Sequence, residues 1–137
     1  MTWEYAASIV RVLDGDTAVF RLVKTFTQEV DFGFFIHDSV ALSKSTELSF
    51  RFFGINCPEI HSSDAALKAR GLKAKAEVER LCSLGPLRLV SYKPDKYGRW
   101  LADVYVTPSG KKEIHINQAL LDGGFALPYN GDGVKPV

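Results

Sequence analysis

The sequence predicts an α+β fold, mainly β: a five-stranded barrel with a helix between the third and fourth strands and a short C-terminal helix. Three observations predict it. Two alternating apolar runs, in "ASIVRVLDGDTAVFRLVK", flank Asp14-Gly15, a dipeptide that favours a tight hairpin. Leu67, Gly71, Ala74, Val78 and Leu81 recur at alternating four- and three-residue intervals, which lays them along one helical face. Beyond that helix, "LRLVSYK" and "WLADVYVTP" form a second strand pair around "PDKYGR". Three strands, a helix, two strands and a helix make the order of an OB-type barrel.

The elements follow in order. The first hairpin turns at Asp14-Gly15. The segment from Val30 to Glu47, "VDFGFFIHDSVALSKSTE", is aromatic and then polar, and either extends this hairpin or forms a long excursion. "ELSFRFFGI" resumes a strand, with Phe50, Phe52 and Gly54 on one face and Arg51, Phe53 and Ile55 on the other. After Pro58, Ser62 or Ser63 is placed to cap the helix, with Asp64 in its first turn. Gly71 on the apolar face lets this helix lie close to a sheet, at a propensity cost of about 1 kcal/mol. Gly85-Pro86 ends it, and "INQALLDGG" predicts a second helix from near Asn117 to the glycine pair.

A chain of 137 residues with 46% hydrophobic and 24% charged residues reads as a single domain, residues 1–137, able to bury its own core. Its net charge of +1 is not the strongly basic balance of a protein that coats nucleic acid. An enzyme that must release a polyanion needs only a local basic site. Cys57 and Cys82 are too few for a disulfide framework and lack metal-ligand spacing, so free thiols of a reducing compartment are expected. "MTWEYAASIV" lacks a basic stretch followed by a long apolar run, so no signal peptide is expected and a cytoplasmic, non-membrane location is.

Two segments carry residues beyond what a turn needs. A hairpin requires only Asp14-Gly15, while Asp16 and Thr17 add oxygen ligands of the kind hard cations such as calcium or magnesium take. In "KPDKYGRW", a turn does not require Arg99 after the glycine or Tyr97 before it. Arginine suits bidentate phosphate recognition, and an aromatic beside it can stack on a base or ribose. With Arg51 and Glu59 of "RFFGINCPE", these are the parts needed for metal-assisted phosphodiester hydrolysis.

With "VRVLDGDT", "FRFFGINCPE", "KPDKYGRWLADVYV" and "INQALLDGGFALPY" in this order, the chain resembles the thermonuclease (staphylococcal nuclease-like) family over nearly its whole length. The resemblance implies an OB barrel and calcium-dependent cleavage of DNA and RNA, with another divalent cation as an alternative. By position, Asp16 resembles the metal-binding aspartate, and Arg51 the arginine on the scissile phosphate. Glu59 is similar to the glutamate assigned as general base, and Arg99 to the second arginine, which stabilises the five-coordinate phosphorus and the leaving oxygen. Cys57 falls where the family offers a backbone carbonyl to the metal, Asn56 where it offers a second aspartate, and Asp14 is a nearby carboxylate. Lys96 and Tyr97 are placed to hold a neighbouring phosphate or sugar, and Tyr129 to stack on a base.

The function this implies is a nuclease with little sugar or sequence preference that leaves a 3′ phosphate. Its rival is a catalytically weak or inactive binding module for nucleic acid or protein. Three departures from the family pattern stand out: the amide of Asn56, the lengthened 24–47 segment, and an end soon after Tyr129. Asp31 or Asp38 of the long segment is a candidate to replace the missing carboxylate, and His61 a second candidate base. Neither arginine is expected to be needed for folding. Trp100 and the phenylalanines are assigned to the core, and Lys68, Arg70, Lys73 and Lys75 with Glu77 and Glu79 to a solvated helix face.

Overall fold

A computed structural model of the chain describes residues 2–92, 94 and 99–129. Strand β1 (Trp3–Asp14) turns at Gly15-Asp16 into β2 (Thr17–Gly33), which pairs antiparallel with β3 (Ile36–Phe52). A two-residue β4 (Ile55–Asn56) precedes helix α1 (Ala65–Cys82). Then come β5 (Leu87–Tyr92), β6 (Trp100–Val106), β7 (Ile114–His115), α2 (Ile116–Asp122) and β8 (Leu127–Pro128).

Five strands ring the core in the order β3-β2-β1-β5-β6, and a parallel pairing of β6 with β3 joins the ends. This is the predicted OB-type arrangement. β6 divides its second edge: residues 100–102 pair with β3, and Tyr105 and Val106 pair with β7. Bulges in β1, between Ile9 and Arg11 and between Val12 and Asp14, supply the local twist that a closing sheet requires. Phe20, Phe50 and Phe52 meet in the interior, with ring centroids 6.1 Å apart from Phe20 to each of the others. Each buried phenylalanine contributes roughly 1.5–3 kcal/mol.

Helix α1 closes one end of the barrel by burying Gly71, Ala74, Val78 and Leu81, the predicted face, with Cys82. Its cap differs from the sequence expectation. Asp64 itself is the N-cap and accepts from the backbone N–H groups of Ala66 (2.9 Å) and Leu67 (3.2 Å), while the Ser62 hydroxyl accepts from the Asp64 N–H. A carboxylate at this position also meets the positive end of the helix dipole, which a serine does not.

The 30–47 segment extends the first hairpin. β2 and β3 stay in register from Thr17↔Arg51 to Gly33↔Ile36, so a two-stranded ribbon leaves the barrel and turns at Phe34-Phe35. Asp31 and Asp38 sit at its far end, paired with His37 and Val30, roughly 45 Å along the strand from Thr17 at about 3.4 Å per residue. They do not approach the predicted site. The β3 strand also ends earlier than expected, because Gly54 takes φ +80° and turns the chain before Ile55. Phe53 and the ribbon's Phe26, Phe32, Phe34 and Phe35 are exposed, as is Trp100, so the assignment of all these aromatics to the core is corrected. The ribbon outruns the barrel, and strand alternation alone does not reveal where the interior stops. No helix among the described residues is long and apolar enough to cross a membrane.

Candidate active site

The site lies where the first hairpin turn, the end of β3 and the start of β6 meet. Asp16 is the last turn residue before β2. Its backbone carbonyl accepts from the Phe52 N–H at 2.8 Å, which fixes the turn against the end of β3. Its side chain is buried and engaged through both oxygens. Oδ1 accepts from the Thr17 hydroxyl (3.0 Å), and Oδ2 accepts from the Cys57 N–H (2.8 Å) and lies 3.3 Å from Arg51 Nη1.

Arg51 stands between two core phenylalanines in sequence, yet strand alternation turns it away from them. Only 6% exposed, it donates through Nη2 to the Ile55 carbonyl (3.1 Å) and to Asn56 Oδ1 (3.2 Å). Its guanidinium carbon lies 5.6 Å from the Tyr129 ring centroid, within cation–π reach. Tyr129 arrives there because β8 pairs with β4 and its N–H donates to the Gly54 carbonyl. One guanidinium therefore ties together Asp16, Asn56, Ile55 and Tyr129. Removing it would leave a buried carboxylate without its charge partner, a cost the sequence reading of Arg51 did not include.

The parallel register Phe50↔Trp100 and Arg51↔Leu101 sets Arg99 beside the active end of β3. Arg51 and Arg99 line one open cleft of about 270 Å³ together with Thr17, Ser49 and Trp100. Ser49 and Trp100 were not among the site residues read from sequence. The signal that finds them is the β3–β6 pairing, which no local pattern announces. Lys96 and Tyr97 lie outside the described residues.

The charges of Asp16 and Glu59 both act on Asp14, and Asp16 pairs with Arg51 of the cleft. Asp14 Oδ1 accepts from the Ile60 N–H at 3.2 Å, which fastens the Pro58–His61 loop to the hairpin turn. Burial pushes the Asp14 carboxyl above its ordinary value; the bond from Ile60 opposes this, and the charges of Asp16 and Glu59 add to it. Glu59 is exposed on that loop, and His61 is close enough to Asp14 for its charge to be felt. Cys57 is buried, and burial, with the Asp16 charge adding, pushes its thiol up to about 12, which makes it a poor nucleophile or thiolate ligand.

Close packing of α1 sets the loop. A Cβ on Gly15 would fall 2.6 Å from Ala74 Cβ and 2.9 Å from Cys57 Sγ. A Cβ on Gly71 would fall 2.6 Å from the Pro58 carbonyl oxygen and 3.1 Å from that of Glu59. Gly71 thus admits the loop carrying Glu59, and not the sheet that its sequence position suggests.

The geometry presents two arginines on one cleft, one of them paired to Asp16, with Asp14 and Glu59 close enough to interact through their charges, on an OB-type barrel. The family model of staphylococcal nuclease homologues matches residues 49–135. The chain belongs to that family. The match starts at Ser49, so the first hairpin with Asp14 and Asp16, and nearly all of the ribbon, lie outside it. No curated protein matches the chain significantly.

Among the described residues, no three His, Cys, Asp or Glu side chains gather at ligating distance. A site for a hard cation does not require that, because amide, backbone and water oxygens also serve. Asp16 and Asn56 present oxygens to the same guanidinium, and Asp14, which burial and then the charges of Asp16 and Glu59 push up, lies close enough to Asp16 to respond to a nearby cation. The donor set is all oxygen and fits such a cation.

Proposed function

We propose that this family member is a metal-dependent phosphodiesterase that cuts DNA and RNA with little sugar or sequence preference. The observation that supports it most is the cleft shared by Arg51 and Arg99, with Arg51 paired to Asp16 and the charges of Asp16 and Glu59 acting on Asp14. A binding module has use for positive charge in a groove. It has no need of a buried arginine held rigid by four partners, nor of a carboxylate on a loop beside it.

In this reading a phosphodiester enters the cleft and its non-bridging oxygens accept from the two guanidinium groups. Arg51 has three acceptors in Asp16, Ile55 and Asn56, and a guanidinium has five donors, so N–H groups remain for phosphate. Because that guanidinium is already fixed, little reorganisation is needed as charge grows on the phosphoryl oxygens. Arg99 donates from the other wall toward the leaving oxygen. Glu59, exposed on the Pro58–His61 loop, takes a proton from the attacking water. Thr17 and Ser49 offer hydroxyls to the sugar–phosphate chain, and Trp100 and Tyr129 offer aromatic faces to bases, without reading sequence. Calcium would be held by Asp16, Asn56 Oδ1 and the Cys57 carbonyl, and when bound it supplies Lewis-acid polarisation of the phosphate.

The test is digestion of plasmid DNA and of a single-stranded RNA by purified protein with calcium, with other divalent cations, and with chelator. Cleavage that requires a cation, yields 3′-phosphate ends and falls about 10² to 10⁴ in Glu59→Gln is expected. Retention of oligonucleotide with no cleavage under any cation would overturn the enzymatic reading in favour of the binding module.

A further inference from the structure

The ribbon beyond the barrel has a surface that the active site does not use. Cross-strand register places Phe26 with Leu42, Gln28 with Val40, and Val30 with Asp38 on one face, continuous with the core face of the barrel strands. Thr25, Thr27, Ser43 and Ser45 alternate onto the other. The ribbon is therefore amphipathic with its apolar face open, and Phe26, Val30, Val40 and Leu42 are all exposed. At the tip Phe34 and Phe35 are 94% and 97% exposed, and both take positive φ (51° and 65°), a conformation that bulky side chains avoid. An isolated two-stranded hairpin is only marginally stable in water, so a face of this kind calls for cover.

We propose that a second copy of this chain provides it, with the apolar faces of two ribbons stacked antiparallel about a two-fold axis. Two independent features favour that occupant. The first is area. Taking ~200 Å² for a fully exposed phenylalanine and proportionately less for the aliphatics, face and tip together expose about 900 Å² of apolar side chain. This exceeds the patch of about 300–600 Å² usual on a monomer.

The second is charge. From residue 24 to 47 the ribbon has two lysines against four carboxylates, a net −2, which disfavours nucleic acid and anionic lipid as partners. Along the apolar face the charges are segregated. Lys24 and Lys44 pair with each other at the barrel end, and Asp38 lies near the tip. Antiparallel stacking sets the lysine row of one copy over Asp38 of the other, twice by symmetry, while the two rows in between, Phe26–Leu42 and Gln28–Val40, each meet the other of the pair on the partner copy. A parallel arrangement would stack lysine on lysine.

The experiment is sedimentation equilibrium of the full chain over a wide concentration range. A monomer–dimer equilibrium is expected. Phe26→Ser and Leu42→Ser should each raise the dimer dissociation constant at least ~30-fold, the loss typical of a buried apolar anchor. Both positions lie outside the barrel interior, and an unchanged far-UV spectrum confirms that the variants are folded. Lys44→Glu and Asp38→Lys should each weaken the dimer, and the double variant should restore it, which only a Lys44–Asp38 contact between copies does. A chain that stays monomeric throughout would overturn the proposal. So would a dimer indifferent to the Phe26 and Leu42 changes, or a monomer that partitions onto uncharged phosphatidylcholine vesicles. None of these outcomes depends on whether the chain cuts nucleic acid.

Discussion

Gly71→Ala separates a helix effect from a catalytic one. On an ordinary helix this substitution stabilises, because alanine is favoured over glycine by about 1 kcal/mol. Here the new Cβ would fall 2.6 Å from the Pro58 carbonyl oxygen, where Cβ atoms are essentially never found within 3.0 Å. The obstacle is backbone, so no side chain can swing aside. Helix α1 is held by Ala74, Val78 and Leu81 in the core, and the loop only by bonds such as Cys57 N–H to Asp16 and Ile60 N–H to Asp14. The loop is the part that yields, and Glu59 moves with it. Overpacking costs about 1–3 kcal/mol, so after the propensity gain the net destabilisation is roughly 0–2 kcal/mol. A displacement near 1 Å costs about 10² in rate, and a shift of around half that is expected to lower kcat about tenfold.

The assay is single-turnover cleavage of a labelled oligonucleotide together with its binding and a thermal melt. Turnover should fall about tenfold with binding preserved and a small loss of Tm. In a Glu59→Gln background the same Gly71→Ala change should cost little further, since the carboxylate it displaces is already gone. Wild-type turnover in Gly71→Ala, or a loss that repeats in full without the Glu59 carboxylate, would refute the argument.

The two arginines should part company. Arg99→Ala is expected to lose about 10²–10³ in kcat with a smaller change in unfolding midpoint than Arg51→Ala, which also costs about 3–5 kcal/mol by leaving buried Asp16 unpaired; denaturant melts beside kinetics check the split. Asn56→Asp adds a charge to the oxygen set facing Arg51 and should lower the calcium concentration for half-maximal cleavage, read by titration at fixed ionic strength. Tyr92 donates to Asp103, and chiefly through that bond its phenol rises to about 12. The folded state keeps the proton after the unfolded chain has released it near 10, so stability should decline with pH across the window from about 10 to about 12. Melts of Tyr92→Phe should show a shallower decline there and, at neutral pH, a loss of about 1.5–3 kcal/mol for a bond to a carboxylate.

What was legible in the sequence was whatever depends on spacing along the chain. The first hairpin, the α1 face from Gly71 to Leu81, and the glycine pair after α2 are local patterns; the last two appear where the spacing places them, while the hairpin turns one residue later than read, at Gly15-Asp16, with Asp14 still in β1. The site was legible only in part. Arg51 and Arg99 are 48 positions apart (99 − 51), and what puts them on one cleft is a parallel register of three residue pairs between β3 and β6. That register also draws Ser49 and Trp100 to the cleft, and alternation alone gave Trp100 to the core. The N-cap was missed for a different reason. Ser62, Ser63 and Asp64 are all capable caps, and which one serves depends on how the loop is tied to the hairpin turn through Ile60.

The two largest departures from ordinary patterning lie at opposite ends of the same strand pair. At the barrel end, the turn before β2 and the end of β3 bury a charged pair, Asp16 with Arg51, where an apolar pair of similar volume would cost less to desolvate. At the far end, the same strands expose Phe26, Phe34 and Phe35 where polar residues would serve an isolated ribbon better. Neither arrangement is what a chain needs simply to fold, and local rules tend to fail where a surface has a further partner. A buried arginine that keeps spare donors suits an incoming anion, and an open apolar face suits another apolar face. Because the hairpin keeps the two ends tens of ångströms apart, loss of the ribbon's apolar residues should leave the Asp16–Arg51 cluster intact. Loss of Arg51 should in turn leave the ribbon's association intact wherever the barrel still folds. The two surfaces are separable by mutation, although one pair of strands builds both.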